Sequence, residues 1–316
     1  MVIVAGKGGV GKTTVTAALA RTAALAGLTT LVVEVEGKGG LASLYGQPPF
    51  GYDEAVLSPG GPGGAADVIA RTVTPDEALL EYLGDHGLNR ISRRLVTSGA
   101  LDVVATAVPG IRDILVLGKV KSLSREPRLD LVLLDAPAAG HAITFLGSAR
   151  GLMDAVKVGP INTQAKEVTE LLTDPALCRV LLVTLPEETP VNELVETAYN
   201  LEDQVGVTLG PVIVNGMYRE LAGIAADPAG AARAAGAVLR AGEADQLAEA
   251  AAFRRERTAL QTEQVRRLAE QLPLPQIALP FLFSADLGPP DLAVLSEAMT
   301  AGIEALPEPA STGGDD

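Results

Sequence analysis

The stretch Gly6-Lys7-Gly8-Gly9-Val10-Gly11-Lys12-Thr13 constrains this chain more than any other. It satisfies G-x-x-x-x-G-K-[ST], a loop whose successive backbone N–H groups wrap phosphates. Such a pattern carries weight only between a strand and a helix, and the flanks supply both. Val2-Ile3-Val4-Ala5 is a short apolar run that predicts a buried strand. Thr14 to Ala26 is rich in helix formers, with Val15, Ala18, Leu19 and Thr22 at helical spacing. Gly27 follows where a left-handed cap is wanted. The N-terminus of that helix offers unpaired N–H groups and partial positive charge to an anion. The predicted ATP-binding set runs from Gly6 to Thr14, with Lys12 on the β/γ-phosphates and the Thr13 hydroxyl on Mg²⁺.

An ordinary phosphate loop needs one lysine. This one carries a second, Lys7, inside K-G-G-V-G-K-T-T, which marks the deviant form of the Walker A loop. In that form the extra lysine typically reaches the nucleotide of a partner subunit. The loop therefore predicts ATP, Mg²⁺ and a dimer. A dinucleotide reading occupies the same residues. Gly6 to Gly11 also fits G-x-G-x-x-G, and Glu34 and Glu36 follow at roughly the distance where an acid holds a ribose. That alternative leaves Lys12-Thr13 unexplained and predicts no second acidic site on a later strand.

Composition narrows the class. A length of 316 residues allows two domains or one large α/β domain. With 47% hydrophobic residues but only 3% aromatic ones, the core must be aliphatic. Lys plus Arg is 25 against 39 for Asp plus Glu, a net charge of −14 that argues against nonspecific binding to DNA or anionic membrane. Nucleic acid is not an expected partner. Ser92-Arg93-Arg94 and Lys119-Val120-Lys121 are the nearest approach to a basic patch, and solvated helix faces are their plainer reading. The single cysteine, Cys178, allows no disulfide within one chain and reads as a small buried hydrophobe. No signal peptide pattern and no apolar run of about 18 residues is visible, so the expectation is a cytoplasmic protein that is not integral to a membrane.

Apolar runs recur at Val2–Ala5, Thr30–Val35, Asp67–Thr72, Leu129–Leu134, Val180–Leu185, Pro211–Val214 and Gln276–Leu279, with helical stretches between them. Continuous rather than alternating runs suit parallel strands covered on both faces. The expected fold class is α/β: a doubly wound, mostly parallel sheet of the P-loop NTPase kind, with an inserted helical subdomain. Pro48 to Gly64 reads as a loop. Thr74-Pro75-Asp76-Glu77 reads as an N-cap, a first-turn proline and early acids, opening a helical insert over approximately 74–127, interrupted at Pro109-Gly110. Residues 1–305 are expected to form one domain and 306–316 a flexible polar tail. Ala229 to Gln271 predicts surface helices.

Two acidic segments follow the loop. Thr30 to Gly37 ends a strand beside it, and Glu36 is the candidate for positioning the attacking water, with Glu34 satisfying a local need deeper in the strand. Leu131-Val132-Leu133-Leu134-Asp135 has the form of a strand whose terminal carboxylate holds Mg²⁺. Ala136 to His141, including Gly140, reads as a mobile loop. Linked to the metal at one end and a helix at the other, it could report the nucleotide state. His141 is a candidate switch or interface residue.

In order along the chain, K-G-G-V-G-K-T-T, V-E-V-E-G-K-G-G-L-A-S-L-Y-G, V-P-G-I-R-D, L-L-D-A-P-A-A-G-H-A-I-T-F-L and P-V-I-V-N resemble the ArsA ATPase family. That family includes arsenite-pump ATPases and ATPases that deliver tail-anchored membrane proteins. The resemblance spans about residues 2–300. It implies that Lys7 is the inter-subunit signature lysine and that Asp135, Gly140 and His141 belong to the second switch. Asn215 would read the adenine ring, and Pro280, Phe281 and Leu282 would flank the base; a plain turn at Asn215-Gly216 is the alternative. It further implies a dimer with a second copy or a related ATPase subunit, and a protein or hydrophobic cargo.

The departures are specific. Glu36, followed by Gly37-Lys38-Gly39, stands where the family's first switch usually reads D-P-A, so hydrolysis should be slow or partner-dependent. The C-x-x-C pair and the arsenite-sensing cysteine cluster are absent. Four methionines, Met1, Met153, Met217 and Met299, cannot make a Met-rich client groove. Arsenite transport and tail-anchor delivery are weakened accordingly. A positioning ATPase of the MinD/ParA type shares the deviant loop, but would want an amphipathic membrane helix or a basic DNA face. A nucleotide-binding scaffold, or an inactive half of a heterodimer, is the nonenzymatic alternative.

Overall fold

The computed structural model describes residues 1–35, 39–61, 63–85 and 110–307. Eight strands form a single sheet: β1 (Val2–Gly6), β2 (Thr30–Val35), β3 (Ala55–Ser58), β4 (Val68–Val73), β5 (Leu131–Ala138), β6 (Arg179–Thr184), β7 (Val212–Met217) and β8 (Gln276–Pro280). Their spatial order is β3-β4-β2-β5-β1-β6-β7-β8. All described pairings are parallel except that of β3, which runs antiparallel to β4 at the edge. β2 and β4 are buried at all six of their positions, which is what continuous apolar runs between two helical layers require.

The helices fall on two faces because alternate strand residues point opposite ways. Val4, Val32 and Leu133 face α1 (Lys12–Leu25), α2 (Gly40–Leu44) and α10 (Pro289–Glu304) through Val15, Leu41, Leu292 and Leu295. Ile3, Val33 and Leu134 face α4 (Ile111–Ser124), α5 (Ala139–Ala155), α6 (Pro160–Thr173) and α7 (Glu188–Asn200) through Ile114, Phe145, Val168 and Leu194. Between β4 and β5 the described chain is helical, α3 (Pro75–Asp85) followed later by α4. Thr74 opens α3, its hydroxyl accepting from the Glu77 N–H and donating to the Glu77 carboxylate. Toward the C-terminus lie α8 (Pro228–Ala234) and the 29-residue α9 (Glu243–Gln271), which buries only Gln261 and Leu268.

Several local expectations need correction. Pro48 to Gly64 is not all loop, because Ala55–Ser58 adds the antiparallel edge strand β3, with Val56 left exposed. Ala136 to His141 is not a loop. β5 continues to Ala138 because β1 pairs with it as far as Gly6↔Ala138, and α5 starts at Ala139. Pro137 is tolerated there because the ladder with β2 has already ended at Glu34↔Asp135. α1 begins at Lys12 rather than Thr14, so Lys12 and Thr13 sit in its first turn. Asn215 lies within β7 rather than after it. Lys119 and Lys121 are not solvated: they lie mostly buried and pair with Glu81 of α3 and Glu167 of α6. The Ser92-Arg93-Arg94 segment and the 308–316 end lie outside the described residues. No described helix is long and apolar enough to cross a membrane.

Cys178 is buried beside β6, and burial pushes its thiol up to about 12. The thiolate is the reactive form. A thiol reagent at pH 8 is therefore expected to leave Cys178 unlabelled in the native protein and to label it fully in denaturant, which intact-mass measurement reads directly.

Candidate functional site

The loop after β1 hangs at the centre of the sheet, between β5 and β6. Gly6 pairs with Val183 of β6, and a Cβ on Gly6 would lie 2.4 Å from the Val183 carbonyl oxygen. Gly11 caps α1 at φ 88°, and a Cβ there would lie 2.3 Å from the Asn215 side-chain nitrogen. Glycine at both positions lets the loop turn tightly against its neighbours. No side chain caps α1 and no acid lies in its first turn. Its leading N–H groups and the positive end of its dipole are left for an anion.

Four polar side chains converge at this loop. The Thr13 hydroxyl donates to Asp135 Oδ2 at 2.6 Å, joining groups 122 positions apart in sequence. Asp135 is 5% exposed, pairs in register with Val4 of β1, and stands beside Glu34 of β2. Glu34 is 2% exposed and is the carboxylate next to Asp135 across the sheet. The Lys12 ammonium is buried and donates to the Lys7 carbonyl oxygen at 3.0 Å, folded back over the loop. A hydroxyl and a carboxylate oxygen this close suit a small hard cation that takes few protein ligands and fills its shell with water and phosphate. No group of three or more acids, histidines or cysteines with metal-binding geometry occurs among the described residues. The donor set thus fits Mg²⁺ held jointly with a polyphosphate better than an all-protein metal cage.

On the β7–β8 side the loop opens into a cavity of about 390 Å³. Gly9, Gly11 and Thr14 form one wall, with Asn215, Gly216 and Pro280-Phe281-Leu282 opposite. The Asn215 amide donates to the Val10 carbonyl at 2.9 Å, tying β7 to the loop. The Phe281 N–H donates to the Met217 carbonyl at 2.8 Å, which sets the aromatic ring at the cavity edge. Phe281 meets Tyr218 edge-on at 5.2 Å, and the Arg254 guanidinium of α9 lies 4.0 Å over the Tyr218 ring.

Gln261 was not evident from sequence as a contributor. It is 4% exposed, accepts from the Tyr218 N–H at 2.8 Å and donates to the Gly216 carbonyl at 3.1 Å, fixing the β7 end that lines the cavity. Glu193 was missed as well. Its Oε1 lies 2.5 Å from the Lys7 ammonium. Both sit in charged, periodic helices where nothing in the local pattern marks them.

The structure therefore brings together Gly6, Gly9, Gly11, Lys12, Thr13, Thr14, Asp135, Asn215, Pro280, Phe281 and Leu282. Lys7 points away, to the half-exposed pair with Glu193. His141 is exposed in the first turn of α5, just after Gly140. Glu36 and Gly37 lie outside the described residues.

Residues 1–159 match the family described as Anion-transporting ATPase, the ArsA ATPase family, and this chain belongs to it. It is 37% identical over 220 residues to ATPase BagA of Mycobacterium tuberculosis, covering 67% of this chain and 64% of that protein. A Halobacterium salinarum protein named provisionally as an arsenical pump-driving ATPase is 29% identical over 232 residues, 68% of this chain and 35% of its own length. ATPase get3 of Botryotinia fuckeliana is 27% identical over 228 residues, 69% of this chain and 59% of its own length. The chain thus spans under two thirds of the length of each of these relatives.

Gly11→Ala would press a methyl group on Asn215 at a backbone angle that L-residues rarely adopt. It is expected to lower unfolding free energy by about 1–3 kcal/mol, the usual range for such strain. A urea titration checks this, and calorimetry with ATP should show weakened binding in the same variant.

Proposed function

We propose that this protein is a Mg²⁺-dependent ATP hydrolase that closes as a dimer around ATP and uses that closure to bind or release a partner. The observation that carries the reading is the Thr13–Asp135 contact at the uncapped start of α1. It joins a phosphate-loop hydroxyl to a strand-end carboxylate, the pair that holds Mg²⁺ in P-loop NTPases.

Each residue then has a stated task. The loop amides from Gly8 to Thr13 bind the phosphates, and the Lys12 ammonium turns from the Lys7 carbonyl toward them. Thr13 and Asp135 hold Mg²⁺, which when bound neutralises charge building on the phosphates. The Asn215 side-chain oxygen makes no hydrogen bond to a described residue, leaving it to accept from the adenine amino group while its amide nitrogen stays on Val10. Phe281 and Pro280 flank the base. Glu36 orients water, one methylene further out than an aspartate would, so turnover is slow. Lys7 acts in trans, stabilising charge at the partner's nucleotide as an arginine finger does. The second subunit is another copy or a related ATPase chain.

A role in binding arsenite through thiolates is not supported, since Cys178 is buried and its thiol is held protonated. The shared names of the relatives support nucleotide hydrolysis and leave the cargo open. A scaffold that binds nucleotide without turnover is the second reading, favoured by Glu36 at the water-positioning place.

ATP turnover per molecule, measured with Mg²⁺ over a range of protein concentration, tests the proposal. The rate per molecule is expected to climb with concentration and to vanish in EDTA. Tight ATP binding with no turnover at any concentration would favour the scaffold. Lys7→Ala is expected to bind ATP normally and lose roughly 10³-fold or more of its turnover, the lower end of the arginine-finger range. Near-normal turnover in that variant removes the trans-acting role.

A further inference from the structure

Lys7 lies one residue past the end of β1, and its half-exposed side chain does not line its own phosphate cavity. It pairs with Glu193 at 2.5 Å. Glu193 stands on α7, a helix fixed to the core by buried Val191 and Leu194. The helix is held further by Arg267 of α9, which donates to Asn192 at 3.0 Å. The carboxylate is therefore presented by a rigid element. Its second oxygen, Oε2, is buried and accepts no hydrogen bond from a described residue. α7 itself carries no Lys or Arg, only Glu188, Glu193 and Glu196. The nearby arginines of α9 are engaged elsewhere, Arg267 with Asn192 and Arg257 with Glu187. Lys7 is thus the cation that this carboxylate uses.

We propose that Glu193 is a positioning residue for Lys7: in the separate subunit it holds the signature lysine against α7, and only a partner's polyphosphate displaces it. The inference rests on the trans-acting reading of Lys7 above. The same ammonium cannot serve Glu193 and a second subunit's nucleotide at once, so every closing event exchanges one ion pair for the other. A Mg²⁺-bound triphosphate is more highly charged than a Mg²⁺-bound diphosphate or a carboxylate, so Mg·ATP drives the exchange further than Mg·ADP. The pair is about 40% exposed, so salt screens it and its strength is modest. It sets the threshold of closure without preventing closure.

Glu193→Gln keeps the shape and removes the charge. Sedimentation in Mg²⁺ and a non-hydrolysable ATP analogue is expected to show half-maximal dimer at about three- to tenfold lower protein concentration than wild type, with nucleotide affinity of the separate subunit unchanged. In the separate subunit, acylation of Lys7 followed by mass spectrometry is expected to run several-fold faster in this variant, whichever chain the partner is. Glu193→Asp, which keeps the charge, should restore most of both properties. The double variant Lys7→Ala/Glu193→Gln should match Lys7→Ala alone. An unchanged threshold and an unchanged acylation rate in Glu193→Gln overturn the proposal. So does the same threshold shift in the Lys7→Ala background, since Glu193 would then act through the charge of its face and not through Lys7. Near-normal turnover in Lys7→Ala is a separate result, which removes the trans-acting reading itself.

Discussion

The whole site depends on how closely β1 runs beside β6. At Gly6 the two backbones leave no room for a Cβ, since one would sit 2.4 Å from the Val183 carbonyl oxygen. That approach lets the chain leave the sheet abruptly and return as α1 with its first N–H groups uncovered. A bulkier residue would push the loop outward and pull Thr13 off Asp135. The second close approach, Gly11 on Asn215, ties the loop to β7 in the same way. Two missing methyl groups thus set the distance between the phosphate end of the site and its base end.

The polar groups under the loop are costly to bury and are retained in a cluster. Lys12, Glu34 and Asp135 are all within 8% of full burial, in the middle of a sheet otherwise lined by aliphatics. Groups like these stay charged only by serving one another or a ligand. Glu34 and Asp135 are side by side on neighbouring strands, which puts two carboxylates next to the loop. The arrangement counts for more than any single residue: buried carboxylates beside a loop that attracts anions suit the Mg²⁺ and polyphosphate of the proposed function.

Much of this was legible in the sequence because the relevant signals are local. The phosphate loop is contiguous, and the strand Leu131 to Asp135 announces its terminal acid by four aliphatics before it. The parallel, doubly wound sheet could be read from runs of apolar residues that do not alternate. Long-range pairing was not legible. β5 extends past Asp135 only because β1 reaches Gly6↔Ala138, which no window on residues 136–141 reveals. β3 is a strand only because β4 offers it an edge. Lys119 and Lys121 look like a solvated pair two residues apart, yet each faces a different helix and finds its own acid there. Gln261 and Glu193 escape notice for the same reason: their partners come from distant strands and loops, and their own helices look like ordinary surface.

Charge supplies the last step. The chain carries −14, and the proposed dimer would bring two such charged subunits together. The proposed closure around ATP would add more negative charge at the same place, beyond what Mg²⁺ neutralises. A cation carried across the seam by each subunit would relieve this, and under the proposed function Lys7, in the phosphate loop, is that cation. While the subunit is separate, the same ammonium serves the half-buried Glu193. On the proposed reading, the protein keeps its bridging cation paired inside one chain until a more highly charged group is offered by another. Assembly would then be sensitive to which nucleotide is bound, through a contact no stronger than an ordinary half-exposed ion pair.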